Sequence, residues 1–518
     1  MQSSTPAAGS VYRARPVRRV RRRASVLARV LGFAMVAPAA AAVFVDAPVP
    51  WITRALATAL WIFCLIPSVV YLKEDSRTRR PIPFFPVLSL VFGMYYVLPL
   101  VLGVVDNYYN APVFPETDYD YPVQLVFLGW VAMVAGYVVT GVIVHPKGKP
   151  RDVAWNPRRL SKIGLTLMFG GMAVTGLRSL FFSASMLGGM LQFILSMQWL
   201  GTGILIILAR RGELSRLNRT WLGVGFVLTA AMLLANGNIA PMVMFFAVGA
   251  FSLWIAVPYF RPRWIIGTIA AVLLAVSLRG IVIEFRRSLY DTPQQLTQRE
   301  SLRLMVDLLG QRVQKQGVVG AIGHGIAMTA GRSAIMDLFA NVVRRTPDEV
   351  PFWKGETYKS LIGSTIPRVL WPDKPTKDLG QAFGHRYALI HESNKSTAIN
   401  LPILVEFFVN FGGTGVVLGM IVVGMIYRVL DNVVNRPGQS QLLSMIGVVI
   451  LLPLLLIESD FSLVLGGLPL TGAAFYVIWL WLRKSLGSTQ RATANARVST
   501  ASLRLAQMQN QRLRAGPG

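Results

Sequence analysis

The sequence predicts an all-α polytopic membrane protein of about twelve transmembrane helices, with a large, partly helical extracytoplasmic loop between the ninth and the tenth. Three observations carry that expectation. Of 518 residues, 53% are hydrophobic and 15% charged, with a mean hydropathy of +0.50; a soluble protein of this size would need more charge on its surface. Apolar stretches of roughly 17 to 25 residues, enough to cross the hydrocarbon core at about 1.5 Å per residue, recur along the whole chain. The 52 Lys and Arg residues gather in alternate inter-span segments.

In chain order, residues 1–26 are expected to form a basic cytoplasmic arm carrying Arg13, Arg15, Arg18, Arg19, Arg21, Arg22 and Arg23. Nine spans are expected within 27–283, near 27–45, 51–72, 84–105, 122–144, 160–181, 187–209, 220–236, 239–259 and 264–283. Only Asn236-Gly237-Asn238 separates the seventh from the eighth, which leaves a re-entrant pair as the other reading. Residues 284–400 make the outer loop. Spans ten to twelve follow within 401–482, near 401–427, 441–458 and 463–482, and 483–518 is a cytoplasmic tail.

With these spans, 33 of the 52 bases fall in inner segments, two (Arg54 and Arg178) in short outer ones, and 16 in the long loop. Moving one span would scramble the sign of every later loop, so the pattern places both termini in the cytoplasm of a multi-pass protein of the cytoplasmic membrane. The outer stretch up to Tyr121 carries Glu116, Asp118 and Asp120 and no base. A net charge of +28 would suggest nucleic acid in a soluble chain. Here an anionic inner leaflet attracts the basic arm by about 1 kcal/mol per residue, so membrane lipids, and no nucleic acid, are the expected partners. A signal peptide would need a small-residue cleavage site that the first apolar run lacks. The single cysteine, Cys64, sits in an apolar run, which excludes a disulfide framework and a cysteine metal site. No metal and no organic cofactor are expected.

The outer loop is too long for a plain linker. Leu302, Met305, Val306, Leu309 and Val313 recur at helical spacing, as do Ile335, Leu338, Phe339 and Val342 before Pro347. Two amphipathic helices at the membrane surface are therefore predicted. Between them Gly317, Gly320, Gly323 and Gly325 surround His324, a run too glycine-rich for a stable exposed helix but suited to close backbone approach to a ligand or, more commonly, to a neighbouring helix. Sixteen bases face eleven acids in this loop. One reading is an ordinary mixed-charge surface; the other is that arginines bind an anion such as a lipid pyrophosphate, whose oxygens match the guanidinium fork.

The segment Gly355-Glu356-Thr357-Tyr358, followed by Ile366-Pro367-Arg368-Val369-Leu370-Trp371-Pro372-Asp373-Lys374-Pro375, resembles the outer-loop signature of Wzy-type oligosaccharide repeat-unit polymerases, also called O-antigen polymerases. The chain continues in the manner of that family with Pro402, Glu406, Asn410-Phe411-Gly412 and then Gly415, Gly419 and Gly424. The resemblance covers roughly residues 330 to 425. It departs at Asn236-Gly237-Asn238-Ile239-Ala240-Pro241, where related polymerases often place an Arg shortly after a Gly.

The resemblance implies that lipid-linked repeat units are joined on the outer face of the membrane. An acceptor sugar hydroxyl attacks the anomeric carbon and undecaprenyl pyrophosphate leaves; a flippase and a chain-length regulator stay open as partners. Preorganised cations would stabilise the departing charge, each by roughly 2 to 4 kcal/mol. Arg286, Arg287, Arg332, Arg368 and Lys374 are the candidates; the plainer reading has them meet lipid phosphate or pair with Glu284 and Asp337. A general base must lie within reach of the same surface. Glu406, about one turn inside the tenth span, is the first choice, because an ionisable group there is costly; His324, His385 and Asp373 are the alternatives. Three rivals remain. A metal-dependent glycosyltransferase would use paired acids such as Asp118-Tyr119-Asp120, although an acidic outer loop explains them as well. A flippase or transporter would show repeat symmetry, and none is seen in nine spans, a loop and three spans. An O-antigen-ligase-like glycan transferase would use the same donor and similar arginines.

Overall fold

The computed structural model describes residues 49–75, 78–102, 118–145, 156–181, 184–235, 239–256, 281–282, 284–285, 298–333, 335–366, 371, 379–394 and 397–482. Helices, turns and bends account for them, with no strand. The first helix, α1 (Trp51–Lys73), buries Ala57, Leu60, Trp61, Cys64, Leu65 and Ser68 at three- and four-residue spacing. Its other face exposes Ile52, Ile62, Phe63, Ile66 and Val70. A helix that is apolar on both faces belongs against lipid rather than water.

The helices that follow are α2 (Phe84–Tyr96, prolonged by the turn Leu98–Val101), α3 (Asp120–Ile143), α4 (Pro157–Phe181), α5 (Ala184–Arg211), α6 (Arg216–Ala235) and α7 (Ile239–Ala256). The loop region contributes α8 (Gln298–Ser333), α9 (Ile335–Arg345), α10 (Lys359–Thr365) and α11 (Leu379–Arg386). The chain then returns as α12 (Ile403–Val434), α13 (Gln441–Leu451, prolonged by Leu452–Leu455) and α14 (Phe461–Leu482). Six described helices are long and apolar enough to cross a membrane, those of α1, α3, α5, α6, α12 and α14; three shorter apolar helices lie in α2, α7 and α13. The predicted run 27–45 and nearly all of 264–283 lie outside the described residues, as do the arm 1–26 and the tail 483–518.

The tightest packing is between α3 and α12. Gly129 faces Val416, Gly136 the Ile421 carbonyl, Gly424 the Met133 carbonyl, and Gly141 the guanidinium of Arg428. Both numbers rise together from the outermost of these contacts to the last, so the two helices run parallel. The glycines let backbones touch where no side chain would fit, which is how helices associate when lipid removes the hydrophobic incentive.

Helix ends gather at two poles. At one, the Thr53 hydroxyl hydrogen-bonds to the Asp120 carboxylate, the Tyr119 hydroxyl donates to Asp337 at 2.9 Å, and the Ile403 N–H reaches the Ile457 carbonyl. At the other, Arg80 pairs with Asp431 at 2.7 Å, Trp254 donates to the Tyr71 hydroxyl, and Gln441 donates to the Ile255 carbonyl. We call these the loop pole and the basic pole.

The two predicted loop helices occur as α8 and α9, with one correction. The glycine-rich stretch around His324 is helical, and α8 runs through it, interrupted only at Gly317 (φ 68°, ψ 171°). Each glycine costs a helix about 1 kcal/mol relative to alanine, and the segment is helical in spite of that, with Ala321 buried. Upstream of the break, Met305 packs with Ile281, Val282 and Phe285 against Leu234 of α6. Helix α9 buries Ile335, Met336, Leu338, Phe339 and Val342, and its Phe339 ring meets Phe408 of α12 edge-on at 5.4 Å.

Candidate functional site

Helix α12 starts behind Pro402, and its first turn carries Glu406 with no solvent exposure at all. One carboxylate oxygen, Oε2, accepts the N–H of Phe461 at 2.6 Å, at the start of α14. The N-cap of that helix, Asp460, accepts the Leu463 N–H at 2.9 Å, so two acids share the orphan donors of one helix terminus. The other oxygen, Oε1, has no hydrogen-bond partner among the described residues. Buried carboxylate oxygens are normally satisfied, and an exception points to a ligand or a chemical role.

One turn further on, the Asn410 amide ties α12 to the loop. Its Nδ2 donates to the Glu406 carbonyl at 2.8 Å and to Thr357 Oγ1 at 2.9 Å, and its Oδ1 accepts the Gly355 N–H at 2.7 Å. The Trp353 N–H reaches the Val409 carbonyl at 2.9 Å. The turn so held needs Gly355 at φ 91°, a left-handed conformation that glycine adopts without a steric cost. It delivers Tyr358, whose ring stacks on Phe411 at 6.3 Å and meets Phe461 edge-on at 6.0 Å. The Tyr358 hydroxyl is buried without a hydrogen-bond partner among the described residues. Burial, and then the neighbouring Glu406 carboxyl, push its phenol up, so it stays a neutral donor.

Helix α12 breaks immediately below. Phe411 (φ −141°) and Gly412 (φ 65°, ψ −156°) leave helical geometry, and Gly412 lies in a region that only glycine populates readily. The break turns Phe411 outward, 52% exposed, beside the buried acid. The arrangement is a carboxylate with one open oxygen, a neutral phenol, a threonine hydroxyl and a half-open aromatic stack. Such a set can take a proton from a hydroxyl-bearing ligand that arrives from the loop pole.

Of the residues singled out from sequence, Glu406 lies at the centre of this site. His385 is half-buried on α11, and its ring makes no hydrogen bond among the described residues. The side chains of His324 and Arg332, whose backbones belong to α8, and all of Arg286, Arg287, Arg368, Asp373 and Lys374, lie outside the described residues. Of the acids weighed as their partners, Glu284 pairs with Arg312 and Asp337 accepts from Tyr119. Of the outer acid pair, Asp118 caps the Asp120 N–H at 2.8 Å and Asp120 holds Thr53. Sequence reasoning did not single out Thr357, Tyr358 or Asn410 as site residues, although all three lie in the quoted signature.

A second polar cluster, at the basic pole, went unnoticed in the sequence. Arg80 donates to Asp431, to Asn432 at 2.6 Å and to the Asn435 carbonyl at 3.2 Å. Asn435 accepts the Ile82 N–H and donates to the Ile82 carbonyl, and Asn432 donates to the Val144 carbonyl. Tyr137 completes the set through Asp431. The only signal was the cluster Asp431-Asn432 and Asn435 at the end of an apolar run, one helical turn apart. These groups satisfy one another and clamp the α1–α2 connection to the ends of α3 and α12.

A family model described as a domain of unknown function (DUF8712) matches residues 123–436. No curated protein and no solved structure matches the chain.

Proposed function

That match covers more than half of the chain, so the chain belongs to this family, and on that premise we propose that it polymerises undecaprenyl-pyrophosphate-linked oligosaccharide repeat units into a surface or exported polysaccharide. The observation that carries the reading is the meeting of two segments far apart in sequence. Gly355 to Tyr358 and Glu406 to Gly412, the parts that resemble Wzy-type polymerases, close on each other through Asn410 around a buried acid with an open oxygen.

In this reading the acceptor hydroxyl gives its proton to Glu406 Oε1 while its oxygen bonds to the anomeric carbon of the donor sugar. The bond from that carbon to the pyrophosphate oxygen breaks, and the electron pair leaves with undecaprenyl pyrophosphate. Arg286, Arg287, Arg332, Arg368 and Lys374 supply the positive charge that this departure favours. Asn410 and Thr357 hold the acid in place; Tyr358 offers a hydrogen bond to the acceptor. The site works without metal or organic cofactor, on the outer face of the cytoplasmic membrane. Twelve spans, both termini in the cytoplasm and the loop 284–400 outside complete the proposal. Its support is the charge of the short segments: Asp118, Asp120, Glu458 and Asp460 against Arg54 at the loop pole, and Lys73, Arg79, Arg80, Arg428 and Arg436 against Glu74, Asp75 and Asp431 at the basic pole.

The test is the size distribution of lipid-linked intermediates and surface polysaccharide in a strain lacking the protein, complemented by wild type or by Glu406→Gln. Glutamine keeps an oxygen for the Phe461 N–H but removes the base, and the loss of a positioned base lowers turnover by about a hundredfold or more. Single lipid-linked repeat units accumulating in the deletion and in the variant support the proposal. Accumulation of long lipid-linked polymer would assign the protein to glycan ligation or export instead.

A further inference from the structure

Arg428 is the feature that the proposed reaction leaves without a task. It sits near the end of α12 at the basic pole, its guanidinium laid across Gly141 and 4.8 Å over the ring of Tyr137. A Cβ on Gly141 would overlap that guanidinium, so glycine leaves room for it to lie against α3. Arg428 makes no hydrogen bond or ion pair among the described residues, and its Nε is buried without a partner. The nearest acid on its own helix, Asp431, is already taken by Arg80, Tyr137 and Asn435. Counted with Arg79 and Arg80 against Glu74 and Asp431, the cluster carries surplus positive charge.

Beside it runs an apolar stripe. Leu418, Val422, Met425 and Val429 are 59%, 46%, 45% and 42% exposed, at spacings of three and four that put them on one face of α12. The stripe leads from Arg428 away from the basic pole. A guanidinium stacked on an aromatic ring, without a hydrogen-bond partner among the described residues and beside an exposed apolar track, matches one ligand form: a phosphate with a hydrocarbon chain attached.

We propose that Arg428 and this stripe form a binding site for an anionic phospholipid, with the headgroup phosphate on the guanidinium and an acyl chain along α12. The site is independent of the polymerase reading, because it lies at the pole opposite Glu406. It also gives Arg428, which has no hydrogen-bond or ion-pair partner among the described residues, a partner from the bilayer.

The experiment uses the full chain in phosphatidylcholine vesicles doped with phosphatidylglycerol that bears a photoactivatable group on its acyl chain. Irradiation should label the 418–429 segment in wild type. In Arg428→Gln that labelling should fall about tenfold, the worth of one charge-assisted contact, while labelling of the exposed face of α6 at Val227 and Leu228 stays constant. A second measurement needs no variant: excess unlabelled phosphatidylglycerol should suppress labelling of 418–429 in wild type, and excess phosphatidylcholine should not. Undiminished labelling of that segment in Arg428→Gln, or equal competition by the two lipids, overturns the proposal.

Discussion

At the scale of single residues, two buried acids, Glu406 and Asp431, are held in opposite ways. Around Glu406 two buried polar atoms are left open, the carboxylate Oε1 and the Tyr358 hydroxyl. Tyr358→Phe removes a buried hydroxyl without a hydrogen-bond partner among the described residues, so the variant should unfold within about 1 kcal/mol of wild type, or later, in a detergent denaturation series. Both oxygens of the Asp431 carboxylate are paired, with Arg80, Tyr137 and Asn435. Arg80→Leu should therefore cost about 3 to 5 kcal/mol by the same measurement, because it strands a carboxylate that is 1% exposed, and Arg80→Leu with Asp431→Leu should recover most of that loss. Glu406 was legible in the sequence because an acid inside an apolar run is conspicuous. Its partner Phe461 was not, since 55 residues separate them and a backbone N–H has no sequence signature. The Arg80–Asp431 pair was hidden for the same reason, with 351 residues between its members.

At the scale of elements, hydropathy sufficed for the long helices, whose apolar runs begin and end within a few residues of the helices of the bundle. It failed where glycine was read by composition alone. The run around His324 reads as too glycine-rich for a stable exposed helix, yet only Gly317 leaves helical geometry there, and α12 breaks at Phe411 and Gly412 while its later glycines stay helical. Counting glycines does not reveal which one breaks a helix; the backbone angles do. Gly412→Ala should thus cost about 1 to 3 kcal/mol, because φ 65° with ψ −156° excludes a Cβ, and it should do so without any loss of packing volume. Gly424→Val tests a different mechanism. It drives a side chain into the Met133 carbonyl and should lower stability by at least about 1 to 3 kcal/mol and shift α3 from α12.

At the scale of the whole molecule, the prediction concerns sidedness. Cys64 is the only cysteine and is buried, so a Cys64→Ser background carrying either Ser393→Cys, exposed beyond α11, or Arg219→Cys, exposed at the start of α6, gives one reporter per side. In intact cells a membrane-impermeant maleimide should label the first, and the second only after permeabilisation. Labelling of both, or the reverse pattern, would refute an outer loop. The charge distribution is what predicts this arrangement from the sequence; what no linear pattern conveys is that α9 is packed onto α12 through Phe339 and Phe408.

The interruption at Gly412 divides α12 into two mechanical parts. The eight residues Ile403 to Asn410, with the acid among them, are bolted to the 353–358 turn and to the start of α14, whereas the stretch beyond the break is locked to α3 by touching backbones. A pull on the loop therefore reaches Glu406 without having to drag the long helix with it. In the proposed reaction, that division at one glycine would let the acid be repositioned against an acceptor sugar while the part of the protein locked to α3 stands still.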